Sequence, residues 1–419
     1  MDKLIIEGGH PLRGKVRVSG AKNASLALLC GALLAEDEVI LENVPDISDV
    51  RIILEIIGTM GAKVRWLGED ILSLKSPDQV VEEAPYNLVK QLRASNLLLG
   101  PMLARYGKAN VSLPGGCNIG VRPMDLHFKG LVALGADLSL ERGAVRGSCK
   151  SKGFKGTRVY LDFPSVGATE NIMMAAVLAE GQTVIENVAK EPEIVDLANF
   201  LNSLGARVRG AGTDLIKIEG VPRLKGGRYS IIPDRIEAGT FMVAAAATRG
   251  DVLLENVIPR HLEPLSAKLR EANVEVIEGE DSIHIKAEGI EARNIDIKTM
   301  PYPGFPTDMQ SQMMALLSTV PGTSIIIENI FENRFRVADE LKRMGANIKV
   351  EGRMAVIEGV PFLQGTQVKA SDLRAGAALV ISGLMARGET EIGHIQFVDR
   401  GYAGIEQKLN HLGACIRRA

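Results

Sequence analysis

One phrase returns along the whole length of this chain and constrains its fold more than any other feature. Gly-Ala, then any residue, then Val, Ile or Leu closes a helical pattern at Gly61-Ala62, Gly135-Ala136, Gly205-Ala206, Gly345-Ala346 and Gly413-Ala414, with Glu271-Ala272-Asn273-Val274 as a degenerate member. The returns are about 70 residues apart, longer than the ~20–50 residues usual for a simple solenoid. Six units of similar length thus account for all 419 residues.

The order of elements inside the units recurs too. A short alternating strand (Val16-Arg17-Val18, Val159-Tyr160-Leu161, Ile295-Asp296-Ile297) leads into a polar loop and then an apolar helix, at 24–34, 171–179, 241–247, 313–318 and 375–386. These helices are apolar nearly all round, which marks them as buried. A second strand ends in Glu-Asn-Val/Ile at Glu42-Asn43, Glu186-Asn187, Glu255-Asn256 and Glu328-Asn329, and an amphipathic helix carries the chain to Gly-Ala. A helix apolar on every side must be covered on every side, so helices lie inside and sheets outside. The expected fold class is α/β, with two similar inside-out α/β barrel domains built from six βαβα-type repeats, three per domain. The boundary is placed near 229–233, giving one domain at 22–232 and a second from 1–21 and 233–419.

Composition narrows the function. With 49 Lys+Arg against 51 Asp+Glu, the formal charge is −2, which leaves no basic face for nucleic acid or an anionic membrane. Cys30, Cys117, Cys149 and Cys415 form no Cys-x-x-Cys pair, so zinc and disulfide frameworks lack support. The apolar run 24–35 resembles a signal core but is one copy of the repeat, and no run reaches the ~18 residues of a membrane span. A reduced, cytoplasmic protein is expected.

Loops that precede the buried helices offer unpaired N–H groups and the positive helix end to anions. They read Ser19-Gly20-Ala21-Lys22-Asn23, Arg93-Ala94-Ser95-Asn96, Ser165-Val166-Gly167, Asp234-Arg235-Ile236-Glu237, Phe305-Pro306-Thr307-Asp308 and Asp372-Leu373-Arg374. Their Ser, Thr and Asp residues can equally be plain N-caps, and Asp308 reads as either cap or general base. The second unit breaks the pattern. Where its siblings have Glu-Asn-Val, it has Leu113-Pro114-Gly115-Gly116-Cys117-Asn118-Ile119-Gly120-Val121-Arg122-Pro123, a loop free to move. A thiol near the Arg122 guanidinium is activated, whereas Cys30 and Cys415 read as buried and inert. His127 reads as a core or capping residue rather than a metal ligand, and Arg400 can pair with Asp399.

The motifs together resemble a known family. Lys22-Asn23 after Ser-Gly-Ala, the Cys loop through His127, Pro306-Thr307-Asp308, Phe331-Glu332-Asn333-Arg334-Phe335, Asp372-Leu373-Arg374 and Asp399-Arg400-Gly401-Tyr402 are similar to those of the bacterial UDP-N-acetylglucosamine 1-carboxyvinyltransferases, over essentially the entire chain. The resemblance implies transfer of the enolpyruvyl group of phosphoenolpyruvate to the 3-hydroxyl of UDP-N-acetylglucosamine with release of phosphate, the committed step of peptidoglycan synthesis. It implies a site in the interdomain cleft, domain closure on the nucleotide sugar with 113–123 as a lid, and no metal or cofactor. It also implies small-molecule partners only, and a monomer or weak homo-oligomer.

By the same resemblance, phosphoenolpyruvate is held by Lys22, Asn23, Arg122 and Arg400. UDP-N-acetylglucosamine is held by Asn23, Arg93, Arg122, Pro123, Met124, Asp125, Leu126, Asp308 and Ile330. Cys117 is the proton donor and the target of fosfomycin, Asp308 is the base, Lys22 and Arg400 support the chemistry, and Leu373 and Arg374 serve closure or product release. Two positions depart from relatives: 163–166 reads Phe-Pro-Ser-Val where some carry a lysine contact to the diphosphate, and Phe397 stands where histidine is frequent. The rivals are the sister 5-enolpyruvylshikimate-3-phosphate synthase, whose Asn-Ala-Gly-Thr-Ala-x-Arg segment is absent here, and a non-catalytic scaffold, which would be expected to lose Lys22, Cys117 or Arg400.

Overall fold

The structure is a computed structural model that describes residues 2–80, 86–112, 119–120, 123–141, 143–149 and 153–419. Cys117 and Arg122 therefore lie outside the described residues. The chain divides into two compact units, one of Met1–Ser19, Asn118–Val121 and Pro233–Ala419, the other of Gly20–Cys117 and Arg122–Ile232.

In the unit that carries the C-terminus, the described residues form three four-stranded sheets around the helices Arg235–Ala247, Gln310–Leu317 and Leu373–Met385. All three helices are buried along nearly their full length, and because their surfaces are predominantly apolar on every side they need cover all round, which the sheets supply. The N-terminal strands are built into this unit. Leu4–Glu7 pairs antiparallel with both Glu389–Gly393 and Cys415–Arg418, and Arg13–Arg17 pairs parallel with Asp251–Glu255.

The other unit repeats the plan with helices Lys22–Ala32 and Val166–Ala176 inside two four-stranded sheets and one three-stranded sheet. Its third core segment is broken into a 3₁₀ turn Arg93–Leu98, a short α segment Leu99–Pro101 and a π turn Met102–Tyr106. Pro101 supplies no N–H to an α ladder, and the Gly100 N–H donates to Asn171 Oδ1 at 2.6 Å. No helix among the described residues is long and apolar enough to cross a membrane.

Both recurring phrases have local causes. Gly61, Gly135, Gly205, Gly345 and Gly413 have φ between 93° and 111°, and Asn273 has φ 71°. They are the left-handed residues that stop the amphipathic helices, and the next amide closes back on the last turn, as in Ala62 N–H to Ile57 O and Ala346 N–H to Leu341 O. The asparagine of Glu-Asn ties the end of each parallel strand pair. Asn43, Asn187, Asn256 and Asn329 donate through Nδ2 to the carbonyls of Ile231, Leu161, Val18 and Thr299. The three-stranded sheet, Lys108–Ser112 with Ala144–Cys149 and Ala136–Glu141, has no parallel partner strand among the described residues. It is the sheet of the repeat that carries the Cys117 loop.

Two expectations need correction. Cys415 is exposed, because it opens its strand on the outward phase of the alternation. In the fourth Glu-Asn copy the strand Thr323–Ile327 stops one residue short, leaving Glu328 beyond it.

Candidate active site

The starts of the buried helices fall into two groups. Ser165, Asp234 and Asp372 are N-caps whose side chains accept from backbone amides of the first turn. The segments Lys22–Ala32, Arg93–Leu98 and Thr307–Met309 begin after Ala21, Leu92 and Pro306, with no side-chain cap. Lys22, Asn23, Arg93 and Asp308 stand at these uncapped starts, where first-turn N–H groups are left without a side-chain cap.

Lys22 opens its helix and its Nζ lies 2.8 Å from Asp49 Oδ2, with Lys22 12% and Asp49 1% exposed. Asp49 sits in the first turn of Ser48–Thr59, a position that reads as favourable to the helix dipole. Its almost complete burial against a lysine was not legible in sequence. Gly20, two residues before Lys22, has no room for a side chain, since a Cβ there would overlap the Asn43 carbonyl. Asn23 is exposed.

In the same unit Arg93 is partly buried, and the Asn96 amide meets the Met124 sulfur. Met124 and Leu126 are partly buried, and Pro123 and Asp125 are exposed. Behind them His127 is buried, its Nδ1 3.0 Å from Asn171 Nδ2, which also donates to the Asn96 carbonyl. Burial first, then the positive charge of Arg93, pushes the imidazole down to about 4. His127 is thus a neutral core residue bracing the Arg93 turn against the segment that follows the Cys loop.

In the unit with the C-terminus, Asp308 is the centre of a charged network. Its Oδ1 accepts from Arg334 Nη2 at 2.7 Å, and its Oδ2 accepts from Arg374 Nη2 at 2.9 Å and Nε at 3.2 Å. Arg334 is 2% exposed, Arg374 5% and Asp308 27%. Burial alone would lower the Arg374 pKa; Asp308 foremost, with Tyr402 and Asp234, outweighs it and holds the guanidinium above its ordinary value. Arg374 Nη1 also donates to Tyr402 Oη at 3.1 Å, and that oxygen lies 2.9 Å from Thr240 Oγ1. The network thereby reaches the turn 399–402 that carries Arg400. Asp399 accepts both Nη groups of Arg418. Leu373 and Ile330 are partly buried. Asp308 is not the cap of its turn, and it enters two ion pairs.

Arg334 is the functional-type residue that sequence reading quoted inside a motif without assigning it a part. Nothing local in Phe-Glu-Asn-Arg-Phe signals its burial. Of the thiols, burial raises Cys149 to about 11, and burial followed by Glu170 pushes Cys30 up much further, so neither is a nucleophile at neutral pH. Ile119, two residues after Cys117, accepts from the Asn333 N–H at 3.1 Å.

The chain is similar to known proteins in sequence and in fold. The sequence model of the family described as EPSP synthase (3-phosphoshikimate 1-carboxyvinyltransferase) matches residues 6–409. UDP-N-acetylglucosamine 1-carboxyvinyltransferase 2 of Carboxydothermus hydrogenoformans is 58% identical over 420 residues, covering 100% of this chain and 99% of that protein. UDP-N-acetylglucosamine 1-carboxyvinyltransferase 1 of Staphylococcus aureus is 53% identical over 420 residues, with 100% and 99% covered. Among solved structures, the enolpyruvyl transferase NikO from Streptomyces tendae superposes with a TM-score of 0.90 at 25% identity, covering 100% of this chain and 99% of that one. EPSP synthase from Acinetobacter baumannii, at 20% identity, 100% and 99% coverage and a TM-score of 0.77, shares the fold.

Proposed function

Because this chain belongs to the UDP-N-acetylglucosamine 1-carboxyvinyltransferases of the enolpyruvyl transferase family, we propose that it transfers the enolpyruvyl group of phosphoenolpyruvate to the 3-hydroxyl of UDP-N-acetylglucosamine, releasing phosphate. The observation that carries this reading is the 58% identity over the full chain to a protein of that name. The reaction is the first committed step of peptidoglycan synthesis, serves cell shape and division, and runs in the cytoplasm.

The chemistry has two halves. The sugar oxygen bonds to C2 of phosphoenolpyruvate while C3 takes a proton and becomes a methyl group. Then the C2–O bond to phosphate breaks, and C3 gives up a proton to restore the alkene. The first half needs an acid facing C3 and a base for the hydroxyl proton. Cys117 is assigned as the acid and as the site of fosfomycin alkylation, and Asp308 as the base. Arg334 and Arg374 hold both Asp308 oxygens, which limits the rotation of the carboxylate.

Phosphoenolpyruvate carries a phosphate and a carboxylate, so fixed cations are required. Lys22 and Arg400, with Asn23 and Arg122, are assigned to it, and the Asp49 carboxylate beside Lys22 holds that ammonium in one place. Arg93, Arg122, Pro123, Met124, Asp125, Leu126, Asp308, Ile330 and Asn23 are assigned to the nucleotide sugar. Leu373 and Arg374 are assigned to closure or release. Phosphate release measured with each acceptor tests the reading. UDP-N-acetylglucosamine should support it and shikimate 3-phosphate should not; the reverse preference would overturn it.

A further inference from the structure

The four Glu-Asn phrases look alike in sequence but do not fold alike. In three of them the glutamate is the last residue of its strand and pairs across to a basic residue on the parallel neighbour: Glu42 with Arg228, Glu186 with Arg158 and Glu255 with Lys15. Each pair sits on the outer, solvated phase of the sheet. The fourth strand, Thr323–Ile327, has the same alternation of partly buried and buried residues as Gln182–Glu186 but ends at Ile327. Ile327 pairs with Lys298 as Glu186 pairs with Tyr160. Glu328 therefore lies one residue further on, and a one-residue step along a strand turns the side chain to the opposite face. It is 0% exposed.

Both oxygens of the inward carboxylate are hydrogen-bonded. Oε1 accepts from Thr299 Oγ1 at 2.9 Å, from the Ile330 N–H at 2.7 Å and from the Phe331 N–H at 3.1 Å, and Oε2 accepts from Thr307 Oγ1 at 2.9 Å. Oε1 thus takes three of the four donors and Oε2 takes one. Two of the tethered segments carry residues assigned above. Thr307 opens the uncapped turn that presents Asp308, and Ile330 is itself assigned to the nucleotide sugar. Glu193, in the other unit, is also a buried glutamate but lies on a helix remote in sequence from these segments.

We infer that Glu328 is a positioning residue that sets the Asp308 turn and the Ile330 backbone in one register by bridging the Thr307 hydroxyl to the Ile330 and Phe331 amides. The inference rests on the enolpyruvyl-transfer reading for its functional consequence, though not for its structural one. Neither Glu328 nor Thr307 touches substrate on this account. Both act through Asp308 and Ile330.

Two arms test it on the full-length protein. Hydrogen exchange reports the tether directly: Glu328→Ala should speed exchange at Ile330 and Phe331 by at least about tenfold, whereas Glu42→Ala, which removes an outer-phase glutamate, should leave them unchanged. Unaltered exchange in a folded Glu328→Ala protein overturns the inference whatever the enzyme catalyses. Steady-state kinetics report the consequence: Thr307→Val, which removes one hydroxyl, should lower kcat about tenfold with the KM for phosphoenolpyruvate unchanged, and Thr307→Ser should restore it. Equal kcat for the Val variant and the wild type overturns the inference, and this arm stands if Glu328→Ala fails to fold. A wild type that releases no phosphate from the two substrates would instead contradict the functional reading, leaving the exchange arm to decide the inference.

Discussion

Asp308 and Arg374 meet through two contacts on a single carboxylate oxygen, Nη2 at 2.9 Å and Nε at 3.2 Å, while Arg334 occupies the other oxygen. An arginine with two nitrogens on one anion is a planar fork, which a lysine cannot imitate. Asp308→Asn would leave two buried guanidinium groups short of their counter-charge. We expect a stability loss of about 3 kcal/mol, read by denaturant unfolding, together with a fall in kcat of about 10² to 10⁴. An Asp308→Asn protein with unchanged turnover would remove Asp308 from the proton transfer.

Lys22 and Asp49 allow position and charge to be separated. Lys22→Ala removes the ammonium beside an almost fully buried carboxylate, and breaking such a pair from one side costs about 3–5 kcal/mol. Adding Asp49→Asn to Lys22→Ala should recover most of that stability in thermal unfolding without recovering phosphate release. Recovery of both would mean that Lys22 is only a structural counter-ion.

His127 supplies a pH signature. Its folded-state pKa, pushed down to about 4 from an ordinary 6.5 by burial and then by Arg93, means that the unfolded chain binds the proton first. The neutral ring's contribution is present above pH 6.5 and is lost as pH falls from 6.5 towards 4, by up to about 3 kcal/mol. The stability difference between wild type and His127→Gln should therefore shrink across that interval. A difference constant from pH 7 to pH 4 would contradict a neutral, buried imidazole.

The strand-end asparagines predict a graded series. Asn256 combines φ 58° with a 2.7 Å bond from Nδ2 to the Val18 carbonyl. Asn256→Gly loses the bond but keeps the backbone comfortable; Asn256→Ala loses the bond and strains the left-handed residue as well. The expected losses are about 1 kcal/mol for Gly and about 2 for Ala, measured as shifts in denaturant midpoint. Equal losses would show that the backbone conformation carries no strain.

What could be read from the chain followed from periodicity. Helices with no polar face had to be interior, and Gly-Ala had to be a helix stop, because those patterns act within a few residues of themselves. Burial of individual charged residues was not legible, because it depends on where distant segments meet. Neither Asp49 nor Arg334 carries a local signal of burial, yet each is nearly inaccessible. Cys415 failed for the opposite reason: a closing strand was rightly placed, but which phase faces out depends on pairing with Leu4–Glu7, some 400 residues away in sequence. The slip that buries Glu328 is invisible in a motif whose letters match its siblings.

On the proposed function, Cys117 delivers the proton that makes enolpyruvyl transfer possible. Its most direct test is phosphate release from phosphoenolpyruvate and UDP-N-acetylglucosamine by wild type, Cys117→Ala and Cys30→Ala under identical conditions. Cys117→Ala should be silent and Cys30→Ala nearly as active as the wild type. Equal release by the two variants would contradict it.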